Sequence, residues 1–495
     1  MTLNSAAFLI FFPIVAFLYY LITPKLRWIW LLISSYYFYM CWNPKYAVII
    51  GFSTLVTYIT ALLISKADSF TNKKKAIFYK NSILTLSLLI NIGVLFIFKY
   101  YGFFTNILIR IFEKVNITLN FPALDFMLPV GISYYTFQAI SYIIDVYRHD
   151  IKPEKNIGKY ALFVSFFPQI IAGPIAKSKN MLSQYSEVHK FDYYNAKNGL
   201  LQMLWGYFKK AVIADRIAII VNTVFNSPAD YYGYEIILAS LLFTIQIYCD
   251  FSGYSNIAIG CAQVMGFKLP TNFKEPYFAT SIKDFWKKWH ISLTSWFTDY
   301  LYIPLGGNRK GYFRTQLNVL IVFLVSGLWH GAALTYVIWG FLHGIFQVIE
   351  NLIKPYKQKF IEKHKIDTTR FSYRFGQIFI TFFLVNFAWI FFRANSIHDI
   401  KIIFKNMFVN NPWIFIDGSM YNLGLPQIEL TLSIVCIIIL IIVDYLKTKF
   451  DLLDKLSKQS FWFRWAFYIL AVLFILLFGV YGSGYSAQQF IYSQF

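Results

Sequence analysis

Asn318-Val-Leu-Ile-Val-Phe-Leu-Val-Ser-Gly-Leu-Trp-His-Gly-Ala-Ala-Leu-Thr-Tyr-Val-Ile-Trp-Gly-Phe-Leu-His343 contains no Lys, Arg, Asp or Glu. An uncharged run of this length belongs in hydrocarbon rather than water. Lipid offers the backbone no hydrogen bonds, so such a run must close its own, as a helix does. Similar runs recur along the chain, near 3–22, 27–41, 46–65, 82–98, 126–146, 198–226, 233–265, 315–329, 332–350, 373–392, 429–446 and 463–482. Hydrophobic residues make up 58% of the chain and charged residues 14%, against about 25% charged in a soluble domain. The expected fold class is an all-α polytopic membrane protein with roughly ten to twelve membrane helices, some re-entrant or interfacial.

Working outward, the loops set the orientation. The net charge of +21 suits nucleic acid in a soluble chain, but here it follows the positive-inside rule, so no nucleic-acid partner is expected. Lys25–Arg27, Lys66–Lys80, Arg148 to Lys159, and the basic segments 267–314, 354–374 and 447–464 fall on one side of alternating spans. The connections near 42–45 and 393–428 are poorer in Lys and Arg. This predicts cytoplasmic basic loops in contact with membrane lipid and an extracytoplasmic C-terminus. The first span lacks a basic n-region and is read as retained. Cys41, Cys249, Cys261 and Cys436 show neither disulfide nor zinc spacing, so no metal is expected. No long Pro/Ser/Gly linker divides the chain. We read one membrane domain over 1–495, with N-terminal helices at 1–125, a catalytic core at 126–350 and C-terminal helices and tail at 351–495.

Within this frame His330 stands out. Ionisable groups at membrane depth are rare and usually face a cavity or the bundle interior. Glycines at 327 and 331 flank it and permit close approach of backbone or substrate. A buried, neutral imidazole can act as a general base toward a hydroxyl or thiol. It can equally be a structural hydrogen-bonding group between helices. Segment 281–301 predicts one amphipathic interfacial helix, started by Ser281 and Asp284. At about 100° per residue, Trp286, Trp289, Leu293, Phe297 and Tyr300 share a face. His290 falls on that face, either as packing or as a tip reaching headgroups. Phe166 to Ile175, with Pro168, Gly173 and Pro174, resists a straight helix and predicts re-entrant backbone. Tyr248 to Ser255 places Asp250, Ser252 and a glycine inside an apolar run. There Asp250 either binds a histidine or substrate group or caps a helix break.

Taken together, five stretches resemble the membrane-bound O-acyltransferase (MBOAT) family, in the bacterial branch of alginate and peptidoglycan O-acetyltransferase subunits and the D-alanine transporter of teichoic acid modification. They are Leu128–Tyr147, Phe166–Ile175, Tyr248–Ser255, Asp284–Asn308 with Trp289-His290, and Gly327–His343 with Trp329-His330-Gly331. The resemblance is dense over 128–343. It implies tilted helices around a central tunnel, with His330 as the catalytic residue and His290 along the tunnel's cytoplasmic side. Asp250, Ser252, Trp286, Trp289, Trp329, Gly331, Pro168 and Gly173 are then the candidate lining. The branch carries a C-terminal aromatic pattern whose Tyr serves as a transient acyl carrier. Tyr492 fits it, although Ser493 stands where Phe is usual, and an aromatic membrane anchor is the other reading.

The resemblance further implies an enzyme of the bacterial cytoplasmic membrane, with no bound cofactor. It would move an acyl group, expected to be acetyl from acetyl-CoA, to an extracytoplasmic acceptor for O-acetylation of a cell-envelope or exported polysaccharide. An extracytoplasmic SGNH/esterase-like transferase is the expected partner. The competing readings are D-alanyl transfer to teichoic acid, a transporter or flippase without chemistry, and a scaffold that recruits the enzyme.

Overall fold

A computed structural model describes residues 1–122, 124 and 128–481. Among them the regular structure is entirely helical. Eight helices are long and apolar enough to cross a membrane: Tyr46–Ser69, Lys73–Glu113, Tyr234–Val264, Tyr312–His330, Leu334–Lys363, Phe371–Arg393, Gln427–Lys447 and Phe461–Phe478. The expected spans near 3–22, 27–41 and 126–146 form helices of 16, 14 and 16 residues, short of the roughly 20 that a straight crossing needs. The chain is thus a multi-pass, all-α membrane protein. Large apolar side chains such as Phe78, Val48 and Leu477 remain exposed, as lipid-facing positions should.

The helices form two compact units, one of Met1–Leu201 with Ala258–Pro270, the other of Gln202–Ile257 with Thr271 onward. In the first, residues 166–175 are buried and non-helical, as their prolines predict. The Gln169 side chain donates to the Pro174 carbonyl at 3.1 Å. A Cβ on Gly173 would lie 2.4 Å from the Gln169 Cα, so this irregular backbone is packed in protein.

The second unit holds both motif histidines. The Tyr312–His330 and Leu334–Lys363 helices form an antiparallel hairpin joined by 331–333. Their crossing is tight because Gly327 and Gly340 meet there, with the Gly327 Cα 3.1 Å from a Cβ built on Gly340. A Cβ on Gly327 would sit 2.3 Å from the Tyr336 carbonyl oxygen. That neighbour is backbone and cannot rotate away. Gly327→Ala is therefore expected to destabilise the unit by about 1–3 kcal/mol, read as a lowered melting temperature of the detergent-solubilised protein.

Two local expectations are corrected. Asp250 does not cap a helix break, since Tyr234–Val264 runs unbroken through it. Segment 281–301 is not one helix. Ser281 starts it as expected, accepting from the Asp284 backbone N–H. The helix then stops at Lys288, His290 adopts φ +42° and ψ 52°, and a second helix runs Ile291–Phe297. The reversal at His290 is held by Asn272, whose backbone carbonyl accepts from Ile291 N–H at 3.0 Å.

Candidate active site

His330 is the last residue of its helix and 2% exposed. Aromatic rings surround it: Trp329 at 4.9 Å between centroids, Trp339 at 5.0 Å and Phe392 at 5.4 Å. Gly331 continues in extended backbone, and the Tyr336 ring fills the space where its side chain would be. His290 lies 6.5 Å from His330, ring centroid to centroid. It is 0% exposed, so the alternative of a tip reaching headgroups is excluded.

The proton on His290 can be located by elimination. The Ser292 backbone N–H points at Asn272 Oδ1 at 3.3 Å, and a backbone N–H can only donate. The atom facing it is therefore oxygen, and Asn272 Nδ2 donates instead to Ser255 Oγ at 3.2 Å. The same Oδ1 lies 3.1 Å from His290 Nδ1. His290 Nδ1–H must then donate, leaving Nε2 as the basic nitrogen. Burial pushes the His290 pKa down to about 3, so the ring stays neutral near pH 7.

His343 is fixed in the opposite sense. The Trp286 indole N–H donates to His343 Nδ1 at 3.3 Å, so its Nε2 carries the hydrogen. Trp339 lies between His343 and His330, 5.1 and 5.0 Å from them. Trp289 stacks on Phe285 at 5.4 Å and packs on Trp389 at 5.1 Å. Trp329 touches both His330 and His290. A cavity of about 280 Å³ opens beside this group, with Lys283, Lys287 and Gln347 around Trp286, Phe323 and Ser326. Ser326 precedes His330 by one helical turn, on the same face.

Asp250 and Ser252 occupy a second buried cluster. Gly206 and Gly253 let two helices touch, a Cβ on either meeting the other's carbonyl oxygen within 2.8 Å. Lys210 then reaches Asp250 at 2.5 Å and Asp215 at 2.8 Å, while Lys209 donates to Ser252 Oγ at 3.0 Å. Asp250 thus pairs with a lysine. Pro168 and Gly173 belong to the other unit, and Tyr492 lies outside the described residues.

Asn272, His343, Lys209, Lys210 and Asp215 were not anticipated. Asn272 carried no local signal, whereas His343 is a second histidine in the uncharged run that holds His330. The lysines also carried one: Lys209, Lys210, Asp215 and Arg216 are four charges inside an expected span, the kind of anomaly that singled out His330.

Residues 154–392 match the MBOAT family, membrane-bound O-acyltransferase. The chain is 37% identical over 415 residues to the probable alginate O-acetylase AlgI of Pseudomonas putida, covering 83% of this chain and 81% of that protein. The chain belongs to the membrane-bound O-acyltransferase family. It is an O-acyltransferase, and the reading as a transporter or scaffold without chemistry falls away. The chain is also 34% identical over 439 residues to the peptidoglycan O-acetyltransferase of Helicobacter pylori, covering 82% of this chain and 79% of the relative. With the teichoic acid D-alanyltransferase of Bacillus subtilis it shares 28% over 282 residues, 54% of this chain and 69% of the relative.

The burial of His290 makes a pH prediction for this O-acyltransferase. The folded pKa of His290 lies below its ordinary 6.5. As pH falls from 6.5 toward 3, the unfolded chain gains a proton that the folded chain refuses, so the folded state loses stability. The melting temperature of the wild type should fall more steeply than that of His290→Gln between about pH 7 and about pH 5. Parallel curves would overturn the assignment of a buried neutral ring.

Proposed function

We propose that this chain transfers acetyl groups from acetyl-CoA on the cytoplasmic side to a hydroxyl destined for a cell-envelope or exported polysaccharide, with His330 as general base. The observation that carries this reading is the pair of buried histidines, His330 and His290, 6.5 Å apart in one aromatic enclosure. The relatives' names add the substrate class, since the longer similarities are to an alginate O-acetylase and a peptidoglycan O-acetyltransferase. The D-alanyltransferase similarity is weaker and shorter, which favours acetyl over D-alanyl transfer.

In this mechanism the donor's phosphates meet Lys283 and Lys287, and its thioester arm follows the apolar cavity past Trp286 toward Ser326 and His330. His330 takes the proton of the accepting hydroxyl as its oxygen attacks the thioester carbonyl. The carbon–sulfur bond breaks, and His330 returns the proton to the departing thiolate. His290 holds a neutral ring with Nε2 as acceptor, ready to receive a hydrogen bond from the donor or the acceptor. The accepting hydroxyl is that of Tyr492 or a serine of an extracytoplasmic SGNH/esterase-like partner, and the chain resides in the bacterial cytoplasmic membrane.

Purified protein supplied with acetyl-labelled acetyl-CoA should release CoA and pass label to itself or to the partner. Lys283→Glu together with Lys287→Glu should raise KM for acetyl-CoA with little change in kcat. Absence of CoA release from well-folded protein in the partner's presence would sink the proposal.

A further inference from the structure

Four charged side chains of the second unit gather without pairing. Lys209 and Asp444 are 3% and 4% exposed, whereas Lys447 and Glu275 are half-buried. They are close enough for their charges to act on one another. Yet among the described residues none of the four has an opposite charge within ion-pair distance. Lys209 donates to Ser252 Oγ at 3.0 Å. Its ammonium and that of Lys447 both lie over the Trp205 ring, 5.6 and 4.8 Å from the centroid. Asp444 Oδ2 accepts from the Tyr248 hydroxyl at 2.6 Å, but its buried Oδ1 has no hydrogen-bond partner among the described residues. Glu275 is held at φ +41° and ψ 64° just ahead of Pro276, a conformation that costs a residue with a Cβ. A charge drawn out of water is ordinarily matched by an opposite charge. Here two of each sign are collected and left apart.

The position narrows the ligand. Lys447 ends a membrane-crossing helix and begins the basic segment 447–464, so the cluster lies at the depth of lipid headgroups. Trp205, half-buried beside it, is a residue type common at that depth. We propose that Lys209, Lys447, Asp444 and Glu275 bind the headgroup of a phospholipid that carries both a phosphate and a primary amine. The phosphate takes the two lysines, and the ammonium donates to Asp444 Oδ1 and Glu275. A purely anionic headgroup would satisfy the lysines but leave both carboxylates facing its charge. A quaternary ammonium has no N–H for Asp444 Oδ1, and the Trp205 ring that could otherwise hold it already faces the two lysines. The donor cavity differs in kind, since Lys283 and Lys287 have no carboxylate among its lining residues.

The test uses full-length protein in detergent with phosphatidylethanolamine, phosphatidylcholine or phosphatidylglycerol of matched acyl chains. Bound lipid is counted by native mass spectrometry. Wild type should hold phosphatidylethanolamine at least ~10-fold more tightly than either comparison lipid, the scale of one charge-assisted hydrogen bond. Asp444→Asn, which keeps an acceptor for Tyr248, should erase the margin over phosphatidylcholine. Should Asp444→Asn not fold, Glu275→Gln, at a half-buried position, should narrow that margin about 3-fold, the scale of a weaker, partly solvated hydrogen bond. Lys447→Gln should weaken phosphatidylethanolamine and phosphatidylcholine alike, since both carry the phosphate. Equal retention of the three lipids, tightest retention of either comparison lipid, or an unchanged margin in Asp444→Asn and Glu275→Gln would overturn the proposal. Displacement of the bound lipid by phosphoethanolamine at equal concentration would also overturn it, assigning the site to a small soluble ligand. CoA release does not enter this readout, so failure here leaves the catalytic reading of His330 untouched.

Discussion

His330→Gln is expected to abolish acetyl transfer while leaving the protein folded. Glutamine is close to histidine in volume, polar and uncharged, so the enclosure of Trp329, Trp339 and Phe392 keeps its packing. It cannot accept a proton from a hydroxyl near neutral pH. Loss of a positioned general base lowers rates by roughly 10²–10⁴-fold. CoA release should fall by that factor, with a melting temperature close to wild type. A purely structural histidine predicts the reverse, a lower melting temperature with activity retained in the folded fraction. His290→Gln provides the contrast. Its ring is neutral with a pKa of about 3, so it supplies no ionisation between about pH 5 and pH 9. An acid limb of kcat/KM in that range should therefore persist in His290→Gln, even though its rate falls.

Which parts of this arrangement were legible in the sequence follows from their physical origin. The hairpin around His330 was, because an uncharged run and flanking glycines are local signals. Irregular backbone at 166–175 was legible for the same reason, through its prolines. The break at His290 was not. A helical periodicity of about 100° per residue counts faces and cannot register one residue turning to φ +42°. Its cause lies 18 residues upstream, where Asn272 receives the hydrogen bonds that stabilise the turn. The Asp250 misreading has a similar origin. A carboxylate in an apolar run suggests a break when its partner is unseen. Lys210 supplies that partner from another helix, so the backbone has no reason to deviate.

Lys210→Met carries the largest expected effect on stability. The ammonium is 2% exposed and shared by Asp215 and Asp250, themselves 6% and 3% exposed at their side chains. Methionine fills nearly the same volume, so packing changes little and the electrostatic consequence is isolated. Two carboxylates then face each other without the cation between them. Breaking a buried pair by removing one partner costs about 3–5 kcal/mol, because the remaining charge is left uncompensated. The variant should show a sharply lowered melting temperature or a loss of monodisperse protein on size exclusion. Replacing all three groups together, Lys210→Met with Asp215→Asn and Asp250→Asn, removes the stranded charges and should recover most of the loss. This recovery separates a tie between helices from a direct role in transfer. A structural tie predicts that the triple variant regains both folding and CoA release. A triple variant that is stable yet inactive would instead place Lys210, Asp215 or Asp250 in the chemistry. The reason for expecting the tie lies in the Gly206 and Gly253 contact. Two helices brought that close must satisfy whatever polar groups they carry at the crossing, and one lysine between two aspartates does so with each chain segment contributing a charge.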